Sequence, residues 1–321
     1  MDTRLLGRTG LRVSPLCFGT MSFGGDADEE TSAELYKAVR EAGINFLDCA
    51  NVYSQGRSEE ILGRLMAHER GELIVTTKCH GPVGPGPNDR GASRRHVTDA
   101  VEASLKRLGT DRVEVLFLHR WDDDTPVEET LRALEDLVRS GKVLHLGASN
   151  WAAWQVQKAL GIADINRWKR IDVIQPMYSL VKRQAEVEIL PQAAAAGLGV
   201  ITYSPVGGGL LSGKYFTGSN RGRLVDNPRY ARRYSDPVQR ATAEKFATFA
   251  KAAGAHPVTL AVAWAAGNPA VTSPIIGARS VEQLRPSLDA LGYGMTRDMR
   301  AEISALGPTP PPATDRLEEI G

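Results

Sequence analysis

The chain alternates short β-rich runs with longer helical stripes along almost its whole length. Eight runs read as strands: Cys17–Gly19, Ile44–Asp48, Leu73–Lys78, Val113–His119, Val143–Ser149, Asp172–Gln175, Gly199–Tyr203 and Val271–Ile275. Several are continuously apolar, as parallel strands buried on both faces must be. Between them, Leu35, Ala38, Val39 and Ala42 follow helical spacing. Val97, Val101, Leu105 and Leu108 form a second stripe, and Val127, Leu131, Leu134 and Val138 a third. Repeated strand–helix units allow an open doubly wound sheet or a closed (β/α)8 barrel. At 321 residues, with no break in composition and no internal sequence repeat, residues 1–321 suit one barrel domain.

Local signals support the helices. Thr125-Pro126-Val127-Glu128 has capping-box spacing with Pro at the first helical position. Ser280 and Gln283 repeat that spacing, and Ser58 precedes Glu59 and Glu60, which suit the positive end of a helix. The stretch Thr3–Ser14 reads as a hairpin around Gly10, placed to plug a barrel floor. Gly81–Ser93 reads as a loop, and the Pro-rich tail from Gly307 as loose chain.

A net charge of +1 gives no reason to expect nucleic acid or an acidic membrane as the main partner. No apolar run is long enough to span a bilayer, and the N-terminus has no signal core, so a cytoplasmic location is expected. Cys17, Cys49 and Cys79 lie in or beside apolar runs without metal spacing, and read as reduced buried thiols. No metal site is expected. His68-Glu69 begins like a zinc-helix motif, but Gly71 and Glu72 break it. His145 lies within a strand and reads as a hydrogen-bonded core histidine. Asp122–Asp124 reads as a solvated helix approach.

Gly208, Gly213 and Lys214 imitate a Walker phosphate loop after a strand. The next residue is Tyr215, where a magnesium-binding Ser or Thr is required, so an ATPase is disfavoured.

Polar residues fall at strand ends in succession. Asp48, Lys78, His119, Ser149 with Asn150, Gln175 and Tyr203 occupy the ends of the second to seventh runs. A barrel gathers such ends on its active face, whereas an open sheet strings them along an edge. Tyr53 follows Asp48 by five residues, in the loop before the helix at Ser58. A phenol beside the Lys78 ammonium is a proton donor whose pKa the ammonium lowers, with His119 as a second donor. That set suits protonation of an oxygen gaining negative charge, as in carbonyl reduction.

These residues sit in LCFGTMSFGG, NFLDCANVYSQGRSEEILG, LIVTTK, VEVLFLHRWDDDTPVEETL, GASN, IQPMYSL, YSPVGGGLLSGKY and PIIGARSVEQL. In type and order they resemble the aldo-keto reductases over nearly the whole chain. The resemblance implies a (β/α)8 barrel with an N-terminal hairpin and extra C-terminal helices. It implies NADPH bound in extended form without a Rossmann domain, and no G-x-G-x-x-G is present. It implies Asp48, Tyr53, Lys78 and His119 as catalytic residues, with Tyr53 the general acid and Asp48 paired to Lys78. Ser149, Asn150 and Gln175 match holders of the nicotinamide carboxamide, and Tyr203 the ring that stacks on nicotinamide. Thr20 and Met21 match residues near its ribose, with Asp48 close by. Ser204, Pro205, Val206, Gly207, Gly208 and Lys214 match a pyrophosphate loop. Gly277, Arg279 and Gln283 match the adenosine end, with Arg279 for a 2′-phosphate.

Three positions depart from the family pattern. Pro286 and Ser287 stand where an acidic residue and Asn are common, which leaves NADH open as a second cofactor; Cys49 replaces a commoner Thr. The substrate, a small carbonyl compound, is expected to meet Met21, Phe23, Tyr53, His119, Trp121, Trp151 and the Gly81–Ser93 loop. The arginines between Arg221 and Arg233 form either a solvated loop or a fold across the anionic cofactor. The expected activity is NADPH-dependent reduction of aldehydes or ketones. The rival is a nucleotide-sensing subunit with slow chemistry, as relatives of this fold also serve channels.

Overall fold

The apolar runs pair side by side in chain order and close on themselves. The computed structural model describes residues 2–216, 218, 221–314, 316 and 318. The end of the tail read as loose lies outside them. Strands β1 (Arg4–Leu5) and β2 (Arg12–Val13) form an antiparallel hairpin. The barrel strands are β3 (Cys17–Gly19), β4 (Phe46–Asp48), β5 (Ile74–Cys79), β6 (Val113–Leu118), β7 (Val143–Ser149), β8 (Ile171–Gln175), β9 (Gly199–Thr202) and β10 (Ser273–Ile276). The eight are parallel and closed, with β10 returning to β3 through Ile275 opposite Cys17. This is the (β/α)8 barrel; an open sheet is excluded.

Helices α1 (Glu29–Glu41), α2 (Arg57–Met66), α3 (Arg94–Leu108), α4 (Val127–Arg139), α5 (Ala153–Asn166) and α6 (Ile189–Ala196) follow β3 to β8 in turn. Among the described residues, four α-helices separate β9 from β10: α7 (Arg223–Asp226), α8 (Pro228–Arg233), α9 (Pro237–Ala252) and α10 (Pro257–Ala266). After β10 come α11 (Val281–Leu288) and α12 (Arg297–Ser304). The three stripes bury Leu35 and Val39, then Val97, Val101, Leu105 and Leu108, then Val127, Leu131 and Leu134. No helix among the described residues is long and apolar enough to cross a membrane.

Some boundaries differ from the sequence reading. His119 and Tyr203 lie just past β6 and β9, although each N–H still bonds the neighbouring segment, at Cys79 O (2.9 Å) and Pro176 O (3.0 Å). The capping box at Thr125 is not made. Helix α4 starts one residue later, and the Thr125 hydroxyl donates to Asp122 Oδ2 at 2.8 Å. Ser280 caps α11, but Gln283 Oε1 accepts from Arg279 N, not from Ser280 N. Glu59 does more than complement a helix dipole: it is fully buried and holds Arg107 at 2.7 Å and the Thr77 hydroxyl.

Leu6, Val13, Cys17, Phe46, Val115, Phe117, Val173 and Ile201 fill the barrel. Burying each large side chain contributes about 1.5–3 kcal/mol. Gly147 makes room for Phe117, whose ring would lie 2.3 Å from a Cβ there. The hairpin closes the floor. Gly7 has φ +56, and a Cβ on it would stand 2.2 Å from Gly199 N, at the start of β9. Arg4 donates to the carbonyls of Ala266, Val271 and Thr272. Only the opposite end of the barrel stays open.

Candidate active site

A cavity of about 1180 Å³ occupies that open end. It collects the polar strand ends that the sequence sets in succession. The loops around it are bent hard. Ser54, Gln55, His80, Asn150 and Ser204 all have positive φ without being glycine, and each lies just beyond a barrel strand. Such conformations cost about 1–3 kcal/mol each and persist where the surrounding structure holds them.

Asp48 ends β4, and Lys78 is the penultimate residue of β5. Lys78 Nζ lies 2.6 Å from Asp48 Oδ2, 2.7 Å from Cys49 O and 3.2 Å from Tyr53 Oη. Asp48 Oδ1 accepts from Thr76 Oγ1 at 2.7 Å and Gln175 Nε2 at 2.9 Å, so the carboxylate is fixed from three sides. Lys78 has no exposed surface, whereas Tyr53 is half-buried and lines the cavity. The His119 ring meets Tyr53 edge-on, with centroids 6.0 Å apart, and also lines the cavity.

Charge in this group is tightly held. Burial works against the Lys78 ammonium, but Asp48 and Tyr53 outweigh it and its pKa is raised. Burial pushes the Tyr53 hydroxyl up to about 12, against the downward pull of Lys78. The expectation that Lys78 lowers the Tyr53 pKa therefore holds only for the ammonium's own contribution. The net result is a phenol that keeps its proton. Burial, with Lys78 next, drives His119 down to about 3. His119 is thus neutral at physiological pH. Its C–H resonances in a proton NMR titration should stay flat between about pH 8 and pH 5; a midpoint near the ordinary 6.5 overturns this. An unfolded chain takes up that proton first, so this site lowers stability as pH falls through about 6.5 towards the folded value.

Ser149, Asn150 and Gln175 stand together on the wall. Asn150 Nδ2 donates to His119 O and Ser149 Oγ, and Ser149 Oγ to Gln175 O. Tyr203 donates to Asn150 Oδ1 at 2.6 Å. Met21, Ser204, Pro205, Val206, Gly208 and Lys214 continue the lining, followed by Gly277, Arg279 and Gln283. Gly208 and Gly209 have φ +64 and +98 in a tight turn before Lys214, and Tyr215 Oη accepts from Leu224 N. The Walker-like spelling is therefore a turn between β9 and α7. Arg223, Arg229 and Arg233 line the same end, so the arginine-rich segment folds over the cavity.

Five expected contacts are not on the cavity wall. Thr20 is fully buried, and its hydroxyl is engaged with Asp48 O and Ser58 Oγ. Gly207 is buried, with Val181 and Tyr234 where a Cβ would point. Phe23 is fully buried against Phe18. Trp121 and Trp151 pack edge-on with centroids 4.8 Å apart and border a separate small cavity. Conversely, His80, Arg120, Tyr230 and His256 also line the large cavity, and no expectation from the sequence falls on them. His80 and Arg120 follow Lys78 and His119 by two and one residues, a proximity that signals them.

Other side readings have clear outcomes. His145 Nδ1 lies 2.7 Å from Asp172 Oδ2, and Glu69 serves Arg40 and Tyr36. Asp122 accepts from Ala92 N, Asp124 N and Thr125. The three cysteines are free and buried.

The family model for aldo/keto reductases matches residues 15–307. The chain belongs to the aldo/keto reductase family. This aldo/keto reductase is 40% identical to the uncharacterized oxidoreductase YrpG of Bacillus subtilis, over 97% of each chain. It is 37% identical to a probable voltage-gated potassium channel subunit beta of Arabidopsis thaliana, over 91% of each. It is 35% identical to norsolorinic acid reductase of Aspergillus flavus, over 93% of this chain and 79% of the relative. Family oxidoreductases typically use NAD(P)H on small carbonyl compounds.

Proposed function

We propose that this protein reduces an aldehyde or ketone to an alcohol, with Tyr53 as general acid. One observation carries the reading: Tyr53 Oη lies 3.2 Å from Lys78 Nζ, itself 2.6 Å from Asp48 Oδ2, with the phenol on the cavity wall. A nicotinamide dinucleotide, when bound, supplies the hydride. The residues present fit such a group. Side-chain amides of Asn150 and Gln175, the Ser149 hydroxyl and the Tyr203 ring line the cavity at the ends of β7 to β9, and the cations Lys214, Arg223 and Arg279 line it after β9 and β10. These are the chemistries that a carboxamide, an aromatic ring and phosphates require.

The proton resides on Tyr53 Oη. As a substrate oxygen gains negative charge, that proton passes to it, and the hydrogen bond from Lys78 Nζ strengthens on the nascent phenolate. Asp48 keeps Lys78 charged throughout. His119, being neutral, offers an N–H to the same oxygen. The alcohol receives its O–H proton from Tyr53, which is reprotonated from solvent.

NADPH is the favoured cofactor, with NADH possible. Arg279 lines the cavity, 3.4 Å from Asp26 Oδ2, and its guanidinium suits a 2′-phosphate. Arg279→Ala should weaken NADPH about tenfold or more, the scale of one charge-assisted hydrogen bond, and NADH far less. Fluorescence titration of both nucleotides checks this; equal losses argue against the assignment. Free buried thiols suit the reducing cytoplasm, where we place the protein.

The 37% identity to a probable channel subunit supports a second reading, a nucleotide-binding subunit with slow chemistry. Absorbance of NADPH and NADH with an aromatic aldehyde separates the two. Steady consumption supports the reductase; tight binding without consumption supports the sensor.

A further inference from the structure

The catalytic half of the cavity carries one unbalanced charge. Lys78 is matched by Asp48 at 2.6 Å. His119 is neutral, and so is His80: its Nδ1 accepts a hydrogen bond from Arg120 Nε at 3.3 Å, which leaves the ring proton on Nε2. Burial and the nearby Arg120 charge both favour that neutral form. Arg120 itself has no carboxylate at ion-pair distance among the described residues. Asp122, two residues on, has its carboxylate committed to Ala92 N, Asp124 N and the Thr125 hydroxyl.

Arg120 is not loose chain. It follows His119 directly, lines the cavity, and is pinned by His80, whose backbone is held at φ +127. Its hydrogen bond to His80 uses Nε and leaves both terminal amino groups available. Nor does it stand with the phosphate-directed cations. Lys214 and Arg223 follow β9 and Arg279 follows β10, whereas Arg120 follows β6, across the closed barrel from β10. His80, Gly81 and Pro82 line the cavity after β5, and Asn150 Nδ2 meets this wall at His119 O, 2.9 Å away. Arg120 is exposed and anchored at Nε, and its free fork matches a planar carboxylate by two parallel hydrogen bonds.

We propose that Arg120 is a specificity residue that selects carbonyl substrates bearing a carboxylate. The proposal rests on the carbonyl-reduction reading above. The carboxylate seats on the terminal amino groups of Arg120 while the carbonyl oxygen lies at Tyr53.

The test compares matched aldehydes, 4-carboxybenzaldehyde and its methyl ester, and a short series of aliphatic aldehydes ending in carboxylate or methyl ester. The readout is the ratio of kcat/KM for acid over ester, in wild type, Arg120→Gln and Arg120→Lys. Intrinsic reactivity cancels when the ratio is compared between proteins. At least one acid–ester pair should show a ratio that falls tenfold or more in Arg120→Gln, chiefly through KM, and less in Arg120→Lys. Ratios equal within twofold in wild type and Arg120→Gln, for every pair, overturn the proposal. In parallel, binding of 4-(hydroxymethyl)benzoate to the NADP⁺-loaded protein is followed by tryptophan fluorescence, and Arg120→Gln should weaken it at least tenfold. If esters are reduced but no acid is preferred, carbonyl reduction stands and this proposal fails. If no aldehyde is consumed, the reductase reading fails, and the benzoate arm alone decides for or against a carboxylate site.

Discussion

Tyr53→Phe should lower kcat by about 10²- to 10⁴-fold, the usual contribution of a positioned general acid. The change removes one oxygen and leaves the ring on the cavity wall. Lys78 keeps its contacts to Asp48 Oδ2 and Cys49 O, so the buried charge stays paired. Nucleotide affinity should therefore stay within about threefold of wild type, a difference under 1 kcal/mol. Stopped-flow absorbance for the chemical step and fluorescence titration for binding report the two quantities separately. Unchanged turnover would falsify the assigned acid. Equal losses in binding and rate would point instead to a general collapse of the site.

Lys78→Met should have a large effect on stability as well as on rate. The substitution leaves Asp48, 2% exposed, with hydrogen bonds from Thr76 and Gln175 but no cation. Removing one member of a buried pair costs about 3–5 kcal/mol, because the remaining charge is left without compensation. That is a large part of a typical domain stability of about 5–15 kcal/mol. Urea denaturation of the single variant and of the double variant Asp48→Asn/Lys78→Met checks the cause. The double variant should recover part of the loss, since neither position then carries a buried charge. A single variant as stable as wild type sinks the argument.

The two changes divide the site by physical role. Tyr53 holds a proton that burial keeps in place, with its hydroxyl up to about 12. Lys78 makes release of that proton easier only as negative charge forms on the oxygen. One residue acts on the rate alone, the other on rate and fold together.

Asp48, Lys78 and His119 are legible in the sequence because each interrupts an apolar run at its end, where a polar side chain has no place inside a core. The barrel is legible for a related reason. Strands buried on both faces carry no polar face, so their continuous runs stand out between helical stripes. The wall of the cavity is less legible. Phe23 and Thr20 sit next to true lining residues, Met21 and Ser22, yet their side chains turn inward. Facing depends on local backbone angles that neighbouring strands impose, and no spacing rule reports those. Trp121 and Trp151 prefer each other to the cavity, a pairing that follows from β6 and β7 standing side by side. The Thr125 box fails by one residue, which is enough to move a hydroxyl off the helix end.

The floor of the barrel also orders events in time. The hairpin that seals it is synthesised before every barrel strand. Its seat is built in part at the closing strand: Arg4 donates to Thr272 O, 268 residues away, and Ser273 Oγ to Ser14 O. Gly7 needs the backbone of Gly199 beside it. During translation the hairpin can meet Asn45 early, through Ser14 N and Arg12 O, but the rest of its seat waits for β9 and β10. Contacts this distant are slow to form, because loop-closure entropy is lost before they return any stability. Full docking of the hairpin thus needs the finished barrel, and a chain stopped short of β10 lacks the carbonyls that Arg4 meets.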